Sequence, residues 1–311
     1  MAESAAAPPN AGTSSLKLRG CPAALLDDPR EFMMGIDEAG RGPTLGPMVY
    51  GAAFCAVEDE HRLRAMGFND SKQLTEAKRA QLWDELQTKG FLGWRIRVLE
   101  AKEISAGMLR KHTKYNLNAM SHDAAIGLVQ GVLATGVNLR YLYVDTVGDP
   151  ERYQAKLAEL FPQLQVVVEK KADATYPIVS AASICAKVPR DLMLHNWQFE
   201  DPSMCNDRQW GCGYPSDEQT KRWMRDNLQP VFGWPDLVRF SWGPVKDVLD
   251  KEPAAHGAHV VLWADDDEAG EAAVEQQRNA MAAFLGKAKK QKVADRHRWL
   301  HEAQLEPVDA W

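Results

Sequence analysis

The run Phe32-Met33-Met34-Gly35-Ile36-Asp37-Glu38-Ala39-Gly40-Arg41-Gly42-Pro43 does most to limit what this chain can fold into. Residues 32–37 make a short apolar strand that ends in an acid. The glycine-rich stretch 38–46 then forces a turn, and a second apolar run, 47–57, follows at once. Two neighbouring strands joined by a turn that carries two adjacent carboxylates are therefore expected. Ligands collect at strand ends in α/β sheets, because loops there converge from elements distant in sequence.

Further elements alternate along the chain. Thr75 opens a helix through about residue 88, with Glu76 in its first turn. Residues 91–99 alternate well enough for a third strand, and 116–133 carry apolar residues at helical spacing. Residues 139–145 form a strand ending in an acid, 164–169 form another, and a helix over about 174–197 starts beside Asp173. This order predicts an α/β fold with a mixed central sheet flanked by helices.

Composition divides the chain into three zones. Residues 1–29 are a flexible leader, rich in Ala, Pro and Ser at the start, without the positive start and apolar core of a secretory signal. Residues 30–250 form a compact central region. Residues 251–311 are a helical C-terminal extension that crosses the acidic run Asp265-Asp266-Asp267-Glu268. No apolar run approaches the ~20 residues of a membrane span. The cysteines are odd in number, 5, and scattered without a CxxC pair, so reduced thiols in an intracellular protein are expected.

The net charge of −6 is unusual for a nucleic-acid binder. From Glu31 to Asp250, however, 26 Lys and Arg face 29 Asp and Glu, and four of those acids are candidate metal ligands. A nearly neutral body can still present a local basic groove, and bound cations add positive charge where phosphates sit.

Acids close a strand or precede a helix at three places: Asp37 with Glu38, Asp145, and Asp173. Four carboxylates meeting at one point repel, so they need raised pKa values or bound cations. Hard oxygen donors suit Mg²⁺ or Mn²⁺. Two such ions about 4 Å apart form a clamp suited to phosphodiester cleavage. On composition alone a second reading stands beside this one: each acid is a solvated strand-end residue or a helix cap, Asp173 above all.

The segment from Asp37 to Pro43, flanked by Gly35-Ile36 and Gly46-Pro47-Met48-Val49, resembles the signature of type 2 ribonucleases H. Asn69-Asp70-Ser71-Lys72, Tyr115-Asn116-Leu117-Asn118, Val144-Asp145-Thr146-Val147-Gly148 and Lys171-Ala172-Asp173 follow in the expected order. Ser180 through Val188 and Gly213-Tyr214-Pro215-Ser216 complete the pattern, which covers roughly Met33 to Trp242. The Asp-Thr-Val-Gly and Lys-Tyr-Asn-Leu-Asn forms are similar to the eukaryotic catalytic (A) subunit.

The resemblance implies an RNase H-like fold and four catalytic, metal-coordinating acids, Asp37, Glu38, Asp145 and Asp173, holding two divalent cations, Mg²⁺ or Mn²⁺. It implies cleavage of the RNA strand of RNA–DNA hybrids and of duplex DNA on the 5′ side of embedded ribonucleotides, leaving 5′-phosphate and 3′-OH ends. It assigns substrate sensing to Gly40, Arg41 and Gly42 with Tyr214. Glycines let the backbone approach a sugar closely, and the 2′-OH is what separates RNA from DNA.

Supporting contacts are expected from Ser71 and Lys72, where a hydroxyl, an amine and helix-start amides can hold a phosphate. Asn116 suits a helix cap and a contact to the hybrid backbone equally. Lys187 and Arg190, about one turn apart, both suit DNA phosphate, and Arg190 equally suits a neighbouring acid. Adjacent His122 and Asp123 point in different directions on a helix and are expected to be structural. Trp197, Trp223, Trp234 and Trp242 are expected in the core.

The final stretch, Arg296 to Glu306 with Trp299-Leu300, also resembles this eukaryotic catalytic chain, which works with accessory B and C subunits in a heterotrimer. The C-terminal region is the expected docking segment, and a nuclear location follows from the same resemblance.

Overall fold

The structure, a computed structural model, describes residues 19–68, 74–110, 113, 115–146, 148–199, 209–229 and 232–251. Its strands are β1 (Arg19–Gly20), β2 (Phe32–Ala39), β3 (Met48–Ala56), β4 (Gly93–Leu99), β5 (Leu139–Asp145) and β6 (Gln165–Glu169). They form one sheet in the order β1-β4-β3-β2-β5-β6. The β2–β3, β3–β4 and β1–β4 pairs are antiparallel, whereas β2–β5 and β5–β6 are parallel. The mixed sheet expected from the sequence is present.

The helices are α1 (Glu60–Met66), α2 (Glu76–Thr88), α3 (Ala101–Met108), α4 (Leu117–Leu133), α5 (Pro150–Leu160), α6 (Ala172–Thr175), α7 (Pro177–His195), α8 (Glu218–Asp226) and α9 (Gly243–Lys246). Thr75 caps α2, accepting from Lys78 N at 3.2 Å. Pro150 starts α5, whose crossover makes the parallel β5–β6 pairing possible.

Period-2 alternation sorts the strand side chains onto two faces. Phe32, Met34 and Ile36 of β2 pack with Met120, Ala124, Leu128 and Val132 of α4 and with Tyr153 and Leu157 of α5. Met33 of β2 and Val49, Ala53 and Cys55 of β3 pack on the opposite face with α7 and with Leu82, Trp83 and Leu86 of α2. α7 lies so close to the sheet that a Cβ on Gly35 would collide with the Ile178 carbonyl. This close approach fixes α7 against the middle of β2. A third cluster joins Leu45 to Leu194, Trp197, Trp210, Trp223 and Trp234.

Two sequence expectations are corrected here. The helix expected over 174–197 is broken: α6 ends at Thr175 and α7 begins at Pro177, with Tyr176 extended at φ −111°, ψ 115°. A residue before proline is pushed out of the helical region, and Pro177 imposes that break. Within the leader expected over 1–29, β1 pairs with β4, and Leu25 is buried. Ordered structure thus begins before the boundary suggested by composition. Helices α1, α3, α5, α8 and α9 add to those expected; α1, α3, α8 and α9 are short, whereas α5 carries its own start signal in Asp149 and Pro150.

Among the described residues the four cysteines Cys21, Cys55, Cys185 and Cys212 are free, as expected. No described helix is long and apolar enough to cross a membrane. The extension, including Trp299 and Leu300, lies outside the described residues from position 252 onward.

Candidate active site

The parallel register sets Ile36 opposite Val144, so Asp37 lies beside Asp145, the last residue of β5. β2 itself runs on through Glu38 to Ala39, two residues past the end expected from the sequence, because β3 continues to pair with it. Alternation then separates neighbours: Asp37 shares the parity of Met33 and faces α7, while Glu38 shares the parity of Met34 and Ile36 and faces the α4–α5 side. Asp173 arrives from α6, which follows β6, the neighbour of β5. Asp37 and Asp173 are both buried.

The acids are close enough to titrate one another. Burial pushes the Asp37 carboxyl well above the ordinary aspartate range; Glu38 and Asp145 raise it further, while Lys187 and a bond from the Ser183 hydroxyl oppose this. Glu38 is pushed up to about 7 by burial, opposed by Arg41 and Lys187 and reinforced by Asp145 and Asp173. Asp145 also rises, first through burial, with the Ala172 backbone N–H acting against it and Asp173 adding to it. The charge on Asp173 acts on Glu38 and Asp145, so the four candidate acids lie within one another's electrostatic reach.

Backbone donors orient two of them. Asp37 Oδ1 accepts from Glu38 N at 2.7 Å. Asp145 Oδ1 accepts from Thr146 N at 3.0 Å and from Ala172 N at 3.1 Å, which ties the end of β5 to the start of α6. Lys187 Nζ donates to Ser183 Oγ at 2.6 Å, so an ammonium and a hydroxyl on α7 back the Asp37 side of the cluster.

Among the described residues, no three His, Cys, Asp or Glu side chains are already arranged as a metal-holding group. The donor chemistry nevertheless fits a hard divalent cation: the set is carboxylate oxygen throughout, and mutual repulsion is the main effect of its members on one another.

Beside the acids lies the loop 40–46. Gly40 has φ +79°, and a Cβ there would stand 2.6 Å from the Pro47 carbonyl oxygen, so only glycine suits the position. Arg41 turns toward α4, donating to Ser121 Oγ at 2.8 Å and also to Asn118 Oδ1. A Cβ on Gly42 would lie 3.3 Å from Tyr214 Cε1, which places the half-exposed Tyr214 ring directly on Gly42. Thr44 N and Leu45 N both donate to the Gly213 carbonyl, at 2.8 and 3.2 Å, and so bind the two segments together.

The sequence does not reveal what holds this loop. Arg239 is fully buried, and its guanidinium donates to three carbonyls: Gly46 at 2.9 Å, Arg41 at 3.1 Å and Gly40 at 2.5 Å. Burial, with a contribution from Arg190, lowers its pKa to about 9. Trp242 packs beneath it, 4.7 Å from ring centroid to guanidinium carbon, and donates from Nε1 to the Gly42 carbonyl at 3.0 Å. A lone arginine inside Leu237-Val238-Arg239-Phe240 was the one sequence signal, since a charge amid apolar residues needs several fixed acceptors.

The other expected residues fall as follows. Asn116 caps α4, its Oδ1 accepting from Ala119 N at 3.0 Å, and it also lines the cleft in front of Glu38. Arg190 is buried; it pairs with Asp191 at 3.0 Å and donates to the Cys212 carbonyl at 3.2 Å, so it braces the loop from inside. His122 and Asp123 part as expected: His122 stacks on Tyr153, and Asp123 accepts from the Tyr115 hydroxyl. Trp197, Trp223 and Trp234 are buried, while Trp242 is only partly so. Ser71 and Lys72 lie outside the described residues.

A family model described as ribonuclease HII matches residues 34–245. The chain is 43% identical over 285 residues to the A subunit of ribonuclease H2 from Homo sapiens, covering 92% of each chain. It is 46% identical over 254 residues to the corresponding A subunit from Arabidopsis thaliana, covering 82% of this chain and 84% of that one. The solved ribonuclease H2 of Pyrococcus horikoshii is similar at TM-score 0.57 and 32% identity, covering 70% of this chain and 96% of that one. The structure of a PCNA:RNase HII complex from Archaeoglobus fulgidus gives TM-score 0.52 at 31% identity, covering 62% and 85%. With its acids grouped at the ends of β2 and β5 and the glycine loop packed beside them, the chain belongs to the ribonuclease HII family and is a type 2 ribonuclease H.

Proposed function

We propose that this chain hydrolyses the RNA strand of RNA–DNA hybrids and cuts duplex DNA on the 5′ side of an embedded ribonucleotide, leaving 5′-phosphate and 3′-OH ends. The observation that carries this reading is the grouping of the four carboxylates beside a loop whose Gly40 and Arg41 carbonyls are fixed in place by Arg239.

Asp37, Glu38, Asp145 and Asp173 would hold two divalent cations, Mg²⁺ or Mn²⁺. Such a pair, when bound, activates water and offsets charge on the leaving oxygen. The chain's own residues do the rest. Asp145, tied by two backbone N–H groups, and Asp37, tied by one, present oxygens that cannot swing away. Gly40, Arg41 and Gly42, their carbonyls fixed by Arg239 and Trp242, bring backbone N–H groups against the ribose, where a 2′-OH can accept. Tyr214, seated on Gly42, closes the sugar pocket with its ring and offers its hydroxyl. Ser71, Lys72, Asn116 and Lys187 contact the nucleic-acid backbone.

The relatives are named as one lettered subunit of ribonuclease H2, which supports assembly with accessory subunits. We assign that docking to residues 251–311, with B and C subunits as partners and the nucleus as the place of action.

The test compares three duplexes of one sequence: a hybrid, DNA with a single ribonucleotide, and DNA alone. Cleavage of the first two with Mg²⁺ or Mn²⁺, abolished by chelator, is expected. Equal cutting of the all-DNA duplex would remove the basis for the reading.

A further inference from the structure

A cleft of about 650 Å³ opens in front of Glu38 and Asp145, and its far wall is built by Arg152, Tyr153 and Lys156 of α5. Nothing in the site described so far uses that wall. Tyr153 and Leu157 are the core-facing residues of α5, both buried. Arg152 and Lys156 each precede one of them by a single position, so they stand in one row along the flank of the helix, about 6 Å apart in rise. The rotation of α5 about its axis is pinned, because Tyr153 stacks on His122 with ring centroids 4.0 Å apart and planes 9° from parallel.

Two other charged groups on the cleft, Arg41 and Asp149, are already engaged. Arg41 is bonded to Ser121 and Asn118. Asp149 caps α5, accepting from Glu151 N at 3.1 Å and Arg152 N at 3.3 Å. By contrast, the Arg152 and Lys156 side chains make no ion pair or hydrogen bond among the described residues, and both are exposed. Burial lowers the His122 pKa, with Lys156 and Arg41 lowering it further and Asp123 opposing. Arg152 and Lys156 thus leave two cationic side chains on the cleft wall beside Glu38 and Asp145, placed to meet an anionic backbone.

We propose that Arg152 and Lys156 are a phosphate-binding row that grips the backbone of the bound duplex next to the cleavage site. One strand carries a charge every ~3.4 Å of helix axis, so a row ~6 Å long spans about two phosphates. The proposal rests on the nucleic-acid substrate assigned above. It adds the residues that hold that substrate's backbone on the α5 side.

The full chain carrying Arg152→Gln with Lys156→Gln tests it, through anisotropy of a labelled hybrid duplex in chelator-containing buffer across a salt series. Each lost phosphate contact removes ~0.9 from the slope of log affinity against log salt, so a slope shallower by about 1.8 is expected, with affinity at low salt lower by about tenfold. Lys89→Gln with Arg140→Gln removes the same charge at the sheet end away from the acids. That control should keep the wild-type slope. Unchanged binding in the α5 variant, or an equal loss in the control, overturns the proposal. A wild-type chain that binds with the steep slope but never cuts, even with metal restored, refutes the cleavage reading instead and leaves the row standing.

Discussion

The guanidinium of Arg239 donates to the carbonyl of Gly40 at 2.5 Å, joining residues 199 positions apart. The same fork reaches the Arg41 and Gly46 carbonyls, so one buried side chain sets the backbone of the loop 40–46. Arg239→Lys keeps the charge but cannot bridge three acceptors. It is expected to leave at least one buried carbonyl unsatisfied, costing about 1–3 kcal/mol of stability. A loop displaced by about 1 Å also costs up to ~100-fold in kcat/KM. Thermal melts and steady-state kinetics on a single-ribonucleotide duplex check both; wild-type values in both would show that the fork is dispensable.

Asp145→Asn removes a carboxylate from the coupled set while retaining an amide oxygen for the Thr146 and Ala172 N–H groups. Cleavage should fall by roughly 1,000-fold or more, the scale seen when a group that acts within a catalytic unit is lost. The metal-free protein should not lose stability, because repulsion is relieved. Substantial residual cleavage would remove Asp145 from the catalytic set.

Gly42→Ala introduces a methyl 3.3 Å from Tyr214 Cε1, so the ring must give by a few tenths of an ångström. A drop of roughly tenfold in kcat/KM is expected, with melting nearly unchanged, since Tyr214 is half exposed. Tyr214→Phe, which keeps the ring, should retain more activity than Tyr214→Ala. The reverse order would show that the ring does not seat the sugar.

Glu38 is pushed up to about 7 from its ordinary 4.5, and Asp37 and Asp145 move the same way. An acid that ionises less readily folded than unfolded contributes fully below its unfolded value, and that contribution is lost as pH rises through its folded value. The chelated protein should therefore melt lower at about pH 8 than at about pH 5, losing stability mainly between about 4.5 and about 7. Asp217, held down to about 2 by the Cys212 backbone N–H, titrates below that window. Mg²⁺ or Mn²⁺ should raise the melting temperature at the alkaline end, and Glu38→Gln should flatten the pH profile. A flat wild-type profile without metal would mean the acids do not repel.

Much of this was legible in the sequence, and what escaped has a common cause. The strands around Asp37 and Asp145 announce themselves by their apolar runs, although β2 continues past Asp37 to Ala39. Thr75 and Asn116 cap their helices as their side-chain chemistry suggests. The break at Tyr176 was hidden by the helix-forming residues on either side, although Pro177 carried the signal. Arg239, Trp242 and the partners of Arg41 could not be read, because their roles are contacts to backbone carbonyls and hydroxyls that come together only in three dimensions. No local pattern specifies an arginine's acceptors when they lie some two hundred residues away.

Neighbouring acids on opposite sides of a pleated ribbon have a consequence for how the molecule is made. Sliding β2 by a single residue against its neighbours would exchange the outlooks of Asp37 and Glu38, turning the first toward α4 and the second toward α7. A chain trapped in that slipped arrangement would keep its composition and much of its compactness, yet its carboxylates could not assemble. The native register of β2 is thus a condition for activity as well as for stability.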